Sequence, residues 1–179
     1  IASQTERVRI DSSGNVGIGV TPSAWGSFAI TQYKGGFIGS QSSGYLYIGQ
    51  NTYFNGTDFK YVSTAAVTML EQSFGAFVFY RAASGTAGNT VSFSESCRID
   101  SSGNLLVGVT SASYSSANRG VVNLGGSASG LLGFQIGGVA KGYVAHFDSS
   151  MQIWNEVASP ILFGTSATER MRIDSSGNV

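Results

Sequence analysis

The heptapeptide Arg-Ile-Asp-Ser-Ser-Gly-Asn stands three times in this chain, at Arg9–Asn15, Arg98–Asn104 and Arg172–Asn178. Chance does not produce such a recurrence, so the chain is built from repeats. Each copy has a glutamate three residues before its arginine (Glu6, Glu95, Glu169) and an apolar residue just before it (Val8, Cys97, Met171). Val16, Leu105 or Val179 follows the asparagine. In the first copy Val8 and Ile10 alternate with Arg7, Arg9 and Asp11, and Val16, Ile18 and Val20 alternate with Gly17 and Gly19. That is the period of two expected of half-buried strands. Between them lie residues that bend a chain: glycine takes positive φ freely, and Asp or Asn side chains bond the backbone two residues on. The unit reads as strand, tight turn, strand, compatible with a hairpin or with a corner between two sheets.

The expected turn and register residues are Arg9, Asp11, Gly14 and Asn15, with Arg98, Asp100, Gly103, Asn104, Arg172, Asp174, Gly177 and Asn178 in the other copies. The Arg and Asp of each copy sit two apart on one face, where they can pair. An exposed pair contributes ~0–1 kcal/mol, so its recurrence points to register with neighbouring chains, while the apolar slots are expected to pack inward. The three aspartates are 89 and 74 residues apart, longer and less even than the roughly 20–50 residues of common solenoids. Each interval is therefore a small module. The expected organisation is repeat copy 1 over 1–23, a β module over 24–92, copy 2 over 93–113, a second β module over 114–164, and copy 3 over 165–179. The chain reads as a slice of a longer repeating polypeptide.

Only 11% of residues are charged, against about 25% in ordinary globular chains, whereas glycine is used 25 times and proline twice. Apolar residues come in short runs broken by Gly or Ser, such as Tyr45-Leu46-Tyr47-Ile48 and Phe77-Val78-Phe79-Tyr80, too short for long amphipathic helices. The fold class is all-β. Asn55-Gly56 signals a turn, and Val139–Gly142 is expected to link two strands as a hairpin. Thr64–Phe74 admits either helix or strand: Ala65, Ala66, Met69 and Leu70 favour helix, and Val67 and Thr68 interrupt it. The formal net charge is zero, without a basic stretch, which sets nucleic-acid binding aside. No apolar run is long enough to span a bilayer as a helix. Modules with strands this short bury thin cores, and association about a rotation axis remedies that. The expectation is an elongated homotrimer of short-stranded modules, as a β-prism, interwoven or β-helical, joined by the strand-turn-strand repeats.

With these residues in view, Glu6–Pro22 (Glu-Arg-Val-Arg-Ile-Asp-Ser-Ser-Gly-Asn-Val-Gly-Ile-Gly-Val-Thr-Pro) resembles the signature found repeatedly in bacteriophage tail fibres and related trimeric virion appendages. Thr168–Val179 is similar to it almost letter for letter, and Phe134–Tyr143 is similar to the strand pair that often precedes it. The resemblance covers the motif copies, and the modules between them share only its texture. It implies a trimeric fibrous protein on the outside of a virus particle, serving as spacer, scaffold or carrier of host recognition. Its partners would be itself, neighbouring fibre or virion proteins, and host cell-surface glycans. In such fibres the signature often leads into a self-cleaving chaperone domain with a Ser-Lys dyad, which these 179 residues do not contain. No catalytic residue is carried over.

Other candidates are weighed on their residues. Cys97, the single cysteine, occupies a slot that is apolar in the other copies and reads as a small hydrophobe, with a redox role as the alternative. His146 and Asp148 share a strand face as a metal pair would, but lack further ligands, so no metal or cofactor is expected. Asp58, Glu71, Asp148 and Glu156 are the acids available for glycoside cleavage, and none sits in a recognisable setting, so no enzyme is expected. Trp25, Tyr45, Tyr47, Tyr53, Phe54, Tyr61 and Trp154 lie near Ser, Asn and Gln, a mixture suited to stacking on a glycan, and Tyr45, Tyr47, Tyr53 and Trp154 are the candidate contacts. Tyr45 and Tyr47 lie opposite Leu46 and Ile48, so one of those pairs faces away from the module's own core. A receptor-binding adhesin module, or a bacterial surface adhesin or extracellular filament, is the alternative to a structural shaft.

Overall fold

A computed structural model describes residues 6–41, 44–113, 121–147 and 149–179. Among them all regular structure is β, and the chain divides into two units, Ile1–Asn123 and Leu124–Val179. The first unit contains β1 (Val8–Ile10), β2 (Val16–Ile18), β3 (Ala29–Tyr33), β4 (Gly36–Ser40), β5 (Tyr45–Gln50), β6 (Thr52–Phe54), β7 (Phe59–Tyr61), β8 (Ala65–Ser73), β9 (Ala76–Gly85), β10 (Ser94–Ile99) and β11 (Leu105–Val107). With β12 (Val122–Leu124) these form one ten-stranded sheet in the order β1-β2-β3-β4-β5-β8-β9-β10-β11-β12, and β6 and β7 form a separate hairpin. From β1 to β11 neighbours are antiparallel except β2 and β3, which run parallel. Most connections are therefore tight turns between sequence neighbours. Asn55 closes the β6–β7 turn, its side-chain oxygen accepting from the amides of Thr57 and Asp58.

The stretch that admitted helix is strand β8. Val67 and Met69 point into the core while Ala66 and Thr68 point out, and β5 and β9 bond it on both sides, which outweighs the helix propensity of its alanines.

One face of the sheet is covered. Trp25, Phe28, Ile30, Phe37, Tyr47 and Met69 form the main cluster; Tyr61, Val67, Ala82 and Val91 form a second, and Phe59 and Phe93 pack against both. The covering layer is the loop carrying Trp25 and Phe28, the β6–β7 hairpin, and the segment around Val91 and Phe93. Trp25 lies 4.4 Å from Phe37 between ring centroids, and Phe28 lies 4.9 Å from Phe54. Gly49 makes room for this layer, since a Cβ there would run into the Phe37 ring. Gln32 ties the loop down: its Oε1 accepts from the Trp25 indole N–H at 2.9 Å and from the Ser23 amide at 2.7 Å. A buried amide with its hydrogen bonds made costs little and fixes one arrangement.

The second unit contains a three-stranded sheet of β13 (Ser129–Ile136), β14 (Val139–Phe147) and β15 (Ser150–Asn155), and a hairpin of β16 (Ile161–Thr165) and β17 (Thr168–Ile173). The β13–β14 turn is Gly137-Gly138, not the expected Val139–Gly142. Both glycines take positive φ, 60° and 77°, as a two-residue hairpin turn requires, and this leaves Val139–Gly142 in the strand. Ala145, 4% exposed, is the one buried hydrophobic side chain of this unit among the described residues.

Candidate functional site

The three repeat copies fold alike. The Asp11 carboxylate accepts from the amides of Ser13 and Asn15, both at 2.9 Å, and from the Asn15 side-chain N–H at 3.0 Å. The Asp11 amide donates to the Asn15 carbonyl, and the Gly14 amide, at φ 84°, to the Asp11 carbonyl. Asp100 and Asp174 repeat the pattern with Ser102, Asn104, Ser176 and Asn178, and Gly103 and Gly177 hold φ 83° and 88°. In each copy the asparagine side-chain bond, with the amide bonds behind it, holds the aspartate below its ordinary pKa. Between strands the turn makes a hairpin, pairing β1 with β2 and β10 with β11 in the same register.

The arginine's partner is the glutamate three residues earlier, not the aspartate two residues later. Arg9 makes two bonds of 2.6 Å to Glu6, and Arg98–Glu95 and Arg172–Glu169 are likewise two-pronged. A spacing of three would put the two on opposite faces of a regular strand. A bulge corrects this: Ser96 is left unpaired between Glu95, opposite Tyr80, and Cys97, opposite Phe79. The third copy has the same bulge at Arg170, with Glu169 opposite Gly164 and Met171 opposite Phe163. The extra residue returns the glutamate to the arginine's face. Gly19 and Gly108 complete the device. At φ 66° and 72°, their amides bond the carbonyls of Arg7 and Ser96. Their signal in the sequence was a glycine four residues after Asn15 and after Asn104.

The apolar slots of the motif do not pack inward. Val8 is 58% exposed and Ile10 70%, because they lie on the sheet face opposite the aromatic layer. That open face is ordered by register. Ile10 stands opposite Val16, which pairs with Thr31, then Ile38, Ile48, Leu70, Phe79, Cys97 and Val107 in turn. This is one residue from each of nine strands, all apolar but a threonine. To one side runs a row that is apolar at Val8, Ile18 and Tyr33, passes Gly36, and is polar at Gln50, Thr68, Arg81 and Ser94. To the other runs Leu46, Gln72, Phe77, Ile99 and Leu105. Ile48, Leu70 and Phe79, with Gln50, Thr68 and Arg81, line a groove of about 470 Å³. Arg81 is the one charged side chain in these rows.

The candidate glycan residues differ in exposure. Tyr47 is 6% exposed in the core cluster, and Tyr45 and Tyr53 pack against it. Burial raises the Tyr47 hydroxyl's pKa. The tyrosines took the inner face and Leu46 and Ile48 the outer, so Tyr47 presents no ring to a ligand. Trp154 is 56% exposed and parallel to Tyr143, its cross-strand neighbour, at 6.5 Å. A groove of about 340 Å³ runs beside it, lined also by Asn155, Ser159 and Ser175. Of the acids, Asp58 pairs with Lys60 at 3.2 Å and Glu71 accepts from the Ser73 hydroxyl; Glu156 is exposed in the turn after β15. His146 is exposed on β14 opposite Met151, and Asp148 lies outside the described residues. Among the described residues no three His, Cys, Asp or Glu side chains are placed to hold a metal ion, and no helix is long and apolar enough to cross a membrane.

No family model, no curated protein and no solved structure matches this chain.

Proposed function

We propose that this chain is a structural segment of a homotrimeric fibre of the phage tail-fibre kind, a shaft on the outside of a virion that spaces and presents host-recognition regions. The open face carries the reading. A folded monomer rarely leaves in water a row across nine strands in which Thr31 alone is polar, and three copies turning that face toward a common axis bury it without a free hydrophobic surface. The repeat serves the same end: its turn and Glu–Arg clamp fix the hairpin within one chain, leaving Val8, Ile10, Cys97 and Ile99 for contact between chains. The reading assigns no catalysis, and its partners are two further copies of the chain and the neighbouring proteins of the appendage.

Light scattering with sedimentation tests it. The expected mass is three times 18.6 kDa in an extended particle, and a compact monomer overturns the reading. A second reading, a module that contacts host surface glycans, is favoured by Trp154, exposed, braced by Tyr143 and set beside a groove of mixed polarity. Glycan-array binding that is lost in Trp154→Ala supports it.

A further inference from the structure

We infer that the symmetry axis of the assembly runs along the apolar row from Ile10 to Val107, perpendicular to the strands, so that each side chain of this row meets its own counterpart in the other copies. The inference rests on the homotrimer reading and adds where the axis lies. Rotation about an axis keeps every residue at its own height, so only a line of residues parallel to the axis can touch itself along its whole length. The row has that form. It crosses nine strands, and eight steps of about 4.8 Å make it roughly 38 Å long.

Polarity selects this row over its neighbours. One residue-pair along the strands to one side, the face is apolar only at Val8, Ile18 and Tyr33 and turns polar from β5 to β10 with Gln50, Thr68, Arg81 and Ser94; to the other side Gln72 interrupts the apolar residues. Three Arg81 guanidinium groups gathered in a dry centre would repel, since unpaired charges are costly there. Displaced about 7 Å along the strand, they lie at the rim. The second apolar row, with Leu46, Phe77, Ile99 and Leu105, then packs against the adjacent copies off the axis. Together the two rows project on the order of 500 Å². This is comparable with the ~800 Å² of accessible surface that one partner gives to a stable interface, because side-chain relief adds to the projected area. A different protein as occupant would find almost no charge or hydrogen-bonding group in these rows to recognise, whereas a second copy is complementary by repetition.

Cys97 lies in the row between Phe79 and Val107 and is the only cysteine, so any disulfide-linked dimer joins it to itself. That requires Cα atoms within about 7 Å. The full chain at low concentration is treated with a copper–phenanthroline oxidant, which takes two electrons and releases two protons per disulfide, and is run on a non-reducing gel beside a mass measurement. The expected result is rapid covalent dimer. In a Cys97→Ser background Leu70→Cys also links, while Arg81→Cys links at least about tenfold more slowly. A three-copy mass with no link at Cys97 or at Leu70→Cys, or with links at Arg81→Cys as fast, overturns the axis placement and leaves the trimer standing. A monomeric mass overturns both.

Discussion

The units Ile1–Asn123 and Leu124–Val179 are written in the same grammar of short strands and tight turns, yet they bury themselves differently. In the first, the loop with Trp25 and Phe28 and the β6–β7 hairpin lie over one face of the sheet as a second layer, giving a core of packed aromatic rings. In the second, three strands and a hairpin have no such layer, and Ala145 is the one hydrophobic side chain brought under cover among the described residues. A single sheet has nothing to pack against, and stable domains need two layers. The first unit thus buries one face of its sheet within the chain and leaves the other open, while the second leaves nearly all of its hydrophobic side chains open among the described residues.

Hydrogen exchange of the whole chain at falling concentration is the strongest way to break this contrast. On the proposed homotrimer, amides of β5, β8 and β9 are expected to stay protected on dilution, and those of β13 to β15 to lose protection by orders of magnitude as copies separate. Equal protection in both units at every concentration would sink the comparison. Next in size is Trp25→Ala, expected to cost about 3–5 kcal/mol of first-unit stability by removing a fully buried indole from the aromatic layer; denaturant unfolding measures it. A cost under about 1 kcal/mol would mean that the layer is not the core.

Smaller effects sharpen the role of the repeat. Gly103 holds φ 83° with no atom within 4 Å of where a Cβ would stand, so Gly103→Ala meets backbone strain alone, about 1–2 kcal/mol, read from the thermal midpoint. Gly103→Asn, which tolerates positive φ, is expected to recover most of it. The smallest effect is that of acid. Asp100 has its folded pKa depressed, first by the Asn104 side-chain hydrogen bond, so its contribution is present above the unfolded value near 3.9 and is lost as pH falls through the lower folded value. The midpoint should be level from neutral pH to about pH 5 and fall below about pH 4, with a shallower fall in Asp100→Asn. A midpoint that drops already between pH 7 and 5 would show that another group governs.

Much of this was legible beforehand. The strand-turn-strand unit, the all-β class and the Asn55-Gly56 turn follow from local chemistry, because Asp, Gly and Asn at those spacings bend a chain wherever they stand. The arginine's partner was not legible. Pairing Arg9 with Asp11 presumed an unbroken strand, whereas the bulge at Ser96 and Arg170 is a feature of the pairing with β9 and β16, which the alternation of residues does not show. Nor was the side taken by Tyr45 and Tyr47 against Leu46 and Ile48, since alternation states that two faces differ and not which one a covering layer will occupy.

The sequence by itself determined the repeated turn, the short alternating strands and the scarcity of charge, all of which act within a few residues of one another. Only the tertiary structure decided that Tyr45 and Tyr47 turn inward with Trp25, Phe28 and Phe37 and that the motif's aliphatic side chains line up on the open face. That alignment is a sum of registers across nine strands, and a register exists only once each strand has paired with its neighbour in the sheet.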